Sequence, residues 1–143
     1  MRSKLLSGLP NKTWVLVFEP GDEPVTVLTD FALEHGIRAG SITGIGGFSG
    51  ITLGYFNLLT KEYERIPVRE QVEVMSLIGN VAQFEGKPKL HLHVVIGKRD
   101  GSAHGGHLLE ARVQPTLELM LVESSAEMQR VIDPATNLPL LKP

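Results

Sequence analysis

The sequence contains no cysteine among its 143 residues, and this absence excludes several kinds of chemistry. Without thiols the chain cannot form disulfides, use a thiolate nucleophile or bind zinc through sulfur. Any metal ion must therefore be held by histidine, aspartate or glutamate. The search for a metal site narrows to the five histidines and the acidic residues around them.

The sequence also lacks a surplus of positive charge. Its 14 lysines and arginines are balanced by 16 acidic residues, which gives a net charge of -2. Nothing in that balance would attract the whole chain to nucleic acid or to an anionic membrane. The basic residues are scattered, so DNA binding would need a local basic patch.

Long hydrophobic runs are absent as well. No apolar run approaches the roughly 20 residues that a membrane span requires. Near the start of the chain only Leu5 and Leu6 stand where a signal peptide would have a longer hydrophobic region. We therefore expect a cytoplasmic protein that makes no membrane contact.

The length and the 42% hydrophobic content fit a single domain over residues 1–143. Within it, residues 133–143 contain three prolines, and we expect an extended tail there. No internal repeat or low-complexity segment divides the chain.

The pattern of apolar residues predicts an α+β fold with a mostly antiparallel, mixed β-sheet of about seven strands and one main helix. A helix is expected from a cap at Asp22 to a stop at Gly36, with His35 half-exposed in its last turn. A short second helix is plausible over residues 124–132. The predicted strands cover residues 13–18, 41–45, 51–59, 62–67, 72–81, 90–97, 103–109 and 116–123.

A glycine-rich stretch, GIGGFSG at residues 44–50, could suggest a nucleotide site. A dinucleotide fingerprint must open a helix, whereas the ITLGYFNLL that follows here is typical of a strand. A phosphate-binding loop would also need Gly-Lys-Ser or Gly-Lys-Thr. We interpret Gly44, Gly46 and Gly47 as structural, for a bulge, a sharp bend or close packing of another backbone.

Four of the five histidines lie in the segment HLHVVIGKRDGSAHGGH, residues 91–107, which resembles a β-hairpin. His91 and His93 are two apart, so on a strand they project from the same face about 6.6 Å from one another. Whether His107 joins them depends on the number of residues in the turn.

Two turns are compatible with the sequence. A two-residue turn at Asp100 and Gly101 would place His107 opposite Val94, away from the other two imidazoles. A three-residue turn over residues 99–101 would pair His93 with His107 and gather the apolar residues on the opposite face. We prefer the three-residue turn, with Gly101 in the left-handed conformation. His104 is then expected at the rim, outside the group.

Three imidazoles would leave a fourth coordination position open for water, a carboxylate or a substrate. Zinc, iron, nickel or manganese could occupy such a site. The alternative is that His91, His93 and His107 line a polar cavity or a subunit contact and bind no metal. If the site is catalytic, it needs an acid or base near the open position. Glu73, Glu110 and Glu118 are candidates because they lie on neighbouring predicted strands, but each is better interpreted as an ordinary surface or interface residue.

Three segments together resemble the plants and prokaryotes conserved (PPC) domain, also known as DUF296. They are GSITGIGGFSGITLGYFN, EVMSLIGNVA and GKPKLHLHVVIGKRDGSAHGGHLLE, and the resemblance covers about residues 16–122. It implies a mostly antiparallel α/β domain that assembles as a homotrimer. It also implies a zinc ion held by histidines, which map onto His91, His93 and His107 through the HxH and GGH motifs.

The same resemblance brings an alternative function, because members of this family are often described as DNA-binding. In the plant proteins, however, the DNA is gripped by an AT-hook segment, and this chain has no Arg-Gly-Arg-Pro sequence. The hypotheses are therefore a metal-binding homotrimer with a small ligand, a DNA-binding or transcription-associated protein, and an assembly module without chemistry of its own.

Overall fold

The computed structural model describes residues 1–7 and 11–142, which form one helix and nine strands. The helix is α1 (Pro24–Glu34). The strands are β1 (Arg2–Ser7), β2 (Thr13–Phe18), β3 (Gly40–Asn57), β4 (Glu62–Val68), β5 (Val72–Phe84), β6 (Lys87–Gly97), β7 (Ala103–Glu123), β8 (Gln129–Ile132) and β9 (Pro139–Lys142).

All nine strands belong to one sheet, which contains the closed ring β3-β5-β6-β7. In this ring β3 pairs with both β5 and β7, and β6 pairs with the same two strands on the other side. Every pairing is antiparallel except the short contact of β5 with β8, so the sheet is mixed. The predicted α+β fold with a mostly antiparallel mixed sheet and one main helix is confirmed.

The strand count is nine rather than about seven, and two strands are much longer than predicted. Residues 41–45 and 51–59, predicted as separate strands, belong mostly to the single strand β3. Residues 103–109 and 116–123 likewise lie in one strand, β7. Register shifts along the β3–β7 pairing bend both strands without ending them. Interruptions in the sequence pattern therefore mark bulges and not strand ends.

The C-terminal prediction was wrong. Residues 124–132 form no helix, and β8 and β9 pair as an antiparallel hairpin where an extended tail was expected. Arg130 is buried whereas Val131 and Ile132 are exposed, so the segment lies against the sheet as an edge strand and not as an amphipathic helix. Asp133 orders the turn, because its carboxylate accepts hydrogen bonds from the Thr136 amide and hydroxyl at 2.9 and 2.6 Å.

Helix α1 begins one residue later than predicted. Its N-cap is Glu23, whose carboxylate accepts hydrogen bonds from the amides of Val25 and Thr26. Asp22 instead accepts from the Glu19 amide and pairs with the N-terminal ammonium group, each at 3.0 Å. The predicted cap at Asp22 is thus corrected by one position, and α1 ends at Glu34 with His35 as its C-cap.

The hydrophobic core lies between α1 and the sheet. From the helix, Leu28, Phe31 and Ala32 are at most 4% exposed. Strand residues fill the rest of the core, among them Leu16, Phe18, Phe48, Leu117 and Leu119. Among the described residues, no helix has the length and apolar character needed to cross a membrane.

The glycine-rich stretch lies inside β3, where another backbone packs against it. A Cβ atom on Gly44 would stand 2.4 Å from the carbonyl oxygen of Glu118, and one on Gly46 would stand 2.4 Å from that of Thr116. The register of β3 with β5 shifts between these two glycines. This confirms the interpretation of the stretch as structural.

We predict that Gly44→Ala destabilises the protein by about 2 kcal/mol or more, because the strand backbones must separate to accept the new methyl group. Gly50→Ala, also in β3, is the matched control, since its Cβ would meet nothing closer than 3.4 Å. Urea unfolding of the two variants measures the difference. Equal free energies of unfolding for both variants would contradict the packing described here.

Candidate metal centre

The reversal between β6 and β7 has three residues, as the sequence favoured. His93 pairs with His107, Val94 with Gly106 and Ile96 with His104. The Lys98 amide donates to the Ser102 carbonyl, and the Gly101 amide donates to the Lys98 carbonyl, each at 2.9 Å. Gly101 has φ 81°, in the region that favours glycine. The preferred register is therefore confirmed.

This register separates the two faces of the hairpin. Leu92, Val94, Ile96 and Leu108 are at most 3% exposed, and they form the apolar set. His91, His93 and His107 come together on the opposite side of the strands. His104 is exposed beside the turn and stays outside the group, as expected.

His35 also lies apart from the three. At the end of α1 its ring stacks on Phe31, and its Nδ1 lies 3.1 Å from the Phe31 carbonyl oxygen. It is half-buried, which agrees with the expectation of a half-exposed residue at the helix C-terminus.

The three imidazoles form a compact triangle. The Nε2 atoms of His91 and His93 are 3.0 Å apart. Taking one nitrogen from each ring, all three lie within 4.8 Å of one another. Two nitrogens bound to one tetrahedral zinc ion at about 2.1 Å are about 3.4 Å apart. Small rotations of the rings would therefore bring all three to coordination distance.

Burial and nearby positive charge lower the pKa of two imidazoles of the triangle, those of His91 and His107. Burial, with smaller contributions from His91, His93 and Lys89, lowers the pKa of His107 to about 4. Burial, with the charges of His93 and Arg130, lowers the pKa of His91. Metal ions bind the neutral imidazole, so both shifts favour coordination over protonation near neutral pH. The buried Nδ1 of His107 has no hydrogen-bond partner among the described residues.

A cavity opens beside the triangle because β6 and β7 diverge there. The His93–His107 pair is the last one between these strands; beyond it β6 continues along β5, and β7 continues along β3. The gap has a volume of about 400 Å³. Its lining includes residues 89–92 of β6 and 107–109 of β7, closed by Val25 of α1, Tyr63 of β4 and part of the β8–β9 hairpin.

Sequence reasoning missed two polar residues of this cavity, Tyr63 and Arg130. The Tyr63 ring lies 4.8 Å from the ring of His107, and burial raises the pKa of its hydroxyl. Arg130 is 5% exposed, on the edge strand β8. Neither is close in sequence to the histidine segment. The one available signal was Arg130 itself, which stands between Gln129 and Val131 in a segment whose pattern suggests a helix.

The three glutamates considered as acids or bases are placed elsewhere. Glu110 accepts a hydrogen bond from Thr52 at 3.0 Å and pairs with Arg65. Glu73 lies with Lys98 at another surface pocket. Glu118 is an exposed residue in β7, beside Val17. None of the three lines the cavity next to His91 and His107.

Comparison with known proteins identifies relatives of the whole fold. Residues 6–125 match the model of the Plants and Prokaryotes Conserved (PCC) domain. A PPC protein from Pyrococcus horikoshii is 32% identical, with a TM-score of 0.87 over 99% of this chain and 95% of that one. A metal-containing protein from Archaeoglobus fulgidus is 33% identical, with a TM-score of 0.86 over 100% of this chain and 99% of that one.

Two further relatives carry different descriptions. A protein from Bacteroides thetaiotaomicron described as a candidate for DNA binding is 32% identical, with a TM-score of 0.87 over 98% of this chain and 96% of that one. A Synechococcus protein named bifunctional protein GlmU is 29% identical over 121 residues, which are 82% of this chain. The match covers 18% of the length of that protein.

We predict that the metal-free protein loses stability as the pH falls from about 6.5 to about 4. In that interval an unfolded histidine takes up a proton whereas folded His107 does not, so the unfolded state binds more protons and is favoured. In His107→Asn the free energy of unfolding should fall less steeply over this pH interval than it does in the wild type. Urea unfolding at several pH values in chelator measures this.

The control for this prediction is His104→Asn, since His104 is exposed and lies outside the triangle. Its profile should follow that of the wild type. Changes in carboxylate protonation affect all three proteins and cancel in the comparison. An unchanged slope in His107→Asn would show that the folded protein does not resist protonation of this side chain.

Proposed function

The chain belongs to the Plants and Prokaryotes Conserved domain family, and from that premise we propose that it is a metal-binding protein. His91, His93 and His107 would hold one divalent transition metal ion, with zinc as the first choice. The observation that carries this proposal is the triangle itself: two strands bring three imidazole nitrogens within 4.8 Å of one another. The Archaeoglobus relative described as metal-containing supports the same assignment.

The donor set suits an open metal site. Three histidines and no thiolate are typical of zinc sites that keep a fourth position for water or a ligand, whereas structural zinc sites are closed by four protein ligands. Iron, nickel or manganese would accept the same nitrogens. When bound, the ion would supply a Lewis acid to an oxygen atom of a ligand at the open position.

A small molecule is the natural ligand for this arrangement. The cavity beside His91 and His107 has a volume of about 400 Å³, within the range of small-molecule sites. Its lining is mostly apolar, with a few polar groups near the histidines. We propose that the ligand enters this cavity and reaches the metal from there.

We further propose that the protein assembles as a homotrimer. Large apolar side chains are exposed on the side of the sheet that carries His93. Ile78, its register partner, is 55% exposed, and Val95, two residues further along β6, is 43% exposed. Ile45 and Met120, on strands β3 and β7, extend this surface. An apolar surface of this kind is typical of a subunit interface.

DNA binding is the weaker alternative. The description of the Bacteroides relative concerns that protein. Here the net charge of -2 argues against a phosphate-binding surface, because specific complexes with DNA depend on several contacts of lysine or arginine with phosphates. The metal site accounts for the histidines, which the DNA hypothesis does not.

We predict that untagged wild-type protein retains close to one zinc or similar ion per chain after dialysis, and that His93→Ala loses it. Removing one of three ligands should weaken binding by roughly a hundredfold or more. Elemental analysis by mass spectrometry measures the number of metal ions per chain. His104→Ala, a histidine of the same hairpin outside the triangle, should retain the metal. Equal metal content in both variants would end the proposal.

We predict that Ile45→Lys dissociates the trimer, because a lysine ammonium group resists burial in an apolar interface. Sedimentation equilibrium would report the change as a fall in mass toward that of one chain. Leu59→Lys is the control, since Leu59 is 95% exposed between β3 and β4. A wild type that sediments as a monomer would refute the assembly, as would an Ile45→Lys variant that remains trimeric.

A further inference from the structure

The cavity beside the histidine triangle contains a buried arginine that has no acidic partner. Arg130 is 5% exposed. Its Nη1 donates to the Pro139 carbonyl at 3.2 Å and its Nη2 donates to Oδ1 of Asn80, but its Nε has no partner among the described residues. Both acceptors are uncharged, so the hydrogen bonds orient the guanidinium group without neutralising it.

A buried positive charge is costly unless an opposite charge lies close to it. No ion pair of Arg130 occurs in residues 1–7 and 11–142. Among those residues, the lining of the cavity includes no aspartate or glutamate either, whereas it does include Lys89. The cavity therefore has an excess of positive charge, which a bound anion would offset.

Arg130 lies close to the histidine triangle. Its partner Asn80 is the register partner of His91 across β5 and β6. Lys89 precedes His91 by two residues on β6, so its side chain leaves the strand on the same face. The two cationic residues thus flank the side of the cavity on which the histidines lie.

The remaining walls of the cavity are hydrocarbon. They are formed by Val25, Leu90, Leu109, Leu138 and Leu140, with others from the same strands. A ligand that fits this surface carries a short apolar body as well as its charge.

We propose that the cavity binds a small organic acid, with its carboxylate facing Arg130 and Lys89 and its hydrocarbon body against the leucines. Arginine suits this role because its planar N–H groups match the two oxygens of a carboxylate. This inference rests on the proposed function for the metal ion, which would bind an oxygen atom outside the carboxylate where the ligand carries one. The charge argument stands on Arg130 and the lining of the cavity.

A monocarboxylate fits better than a phosphate. Arg130 is the one buried cation of the lining, since Lys89 is exposed and its ammonium group remains hydrated. A doubly charged phosphate would leave more of its charge uncompensated between apolar walls. Phosphate is therefore the informative competitor.

The test is a calorimetric titration of the zinc-loaded wild-type protein with hexanoate, hexanamide and inorganic phosphate. Hexanamide has the shape of hexanoate without its charge. We expect hexanoate to bind at least roughly tenfold more tightly than hexanamide, the loss that follows when a charge-assisted hydrogen bond becomes a neutral one. Equal binding of the two would overturn the inference, and so would tighter binding of phosphate than of hexanoate.

Two pairs of variants identify the residues involved. Arg130→Met should lower the affinity for hexanoate by roughly tenfold or more. Arg38→Met, which removes an exposed arginine elsewhere, should leave that affinity unchanged. If Arg130→Met does not fold, Lys89→Gln serves instead, with Lys87→Gln as its matched control on β6. We expect Lys89→Gln to weaken the binding of hexanoate severalfold and Lys87→Gln to leave that affinity unchanged. Equal affinities within each pair would overturn the inference.

Metal content measured on the same samples separates the two proposals. Arg130→Met should retain its zinc while losing hexanoate, since Arg130 is not a ligand of the ion. If the wild type bound no metal but still preferred hexanoate in an Arg130-dependent way, only the metal proposal would fail. If the wild type bound zinc but did not distinguish hexanoate from hexanamide, only the present inference would fail.

Discussion

The candidate site depends on one constraint, the reversal of the chain between Lys98 and Ser102. The three residues of this turn put His93 directly opposite His107, and His91 then follows on the same face. Asp100 holds the turn, because its carboxylate accepts hydrogen bonds from the Ser102 amide and hydroxyl. A shift of register by one residue would turn every side chain of one strand to the other face and separate the imidazoles.

The same strand pair creates the space that a ligand needs. β6 and β7 separate beyond the His93–His107 pair, since β6 stays paired with β5 while β7 pairs with β3. The ring of four strands holds this divergence in place, and the tight packing of β3 against β7 depends on glycines such as Gly44. The metal ligands are thus positioned by regular strands, while the cavity arises where regular pairing between two strands ends.

Much of this arrangement could be predicted from the sequence, because it is local. The separation of apolar residues from histidines along 91–108 is enough to choose the turn, and the turn is enough to assemble the triangle. Arg130 and Tyr63 could not be found in this way, since distant pairings bring them to the cavity. The error over residues 124–132 has the same origin: β8 is a strand because it pairs with β9 and touches β5, and a periodic apolar pattern in isolation suggested a helix.

X-ray absorption at the metal edge, on protein purified without an affinity tag, tests the central claim most directly. The account predicts a first coordination shell with three imidazole nitrogens at about 2.0–2.1 Å, the distance expected for zinc and histidine, together with one exchangeable oxygen ligand. A shell composed of oxygen atoms alone, or a spectrum without histidine scattering, would show that the triangle of His91, His93 and His107 is not a metal centre.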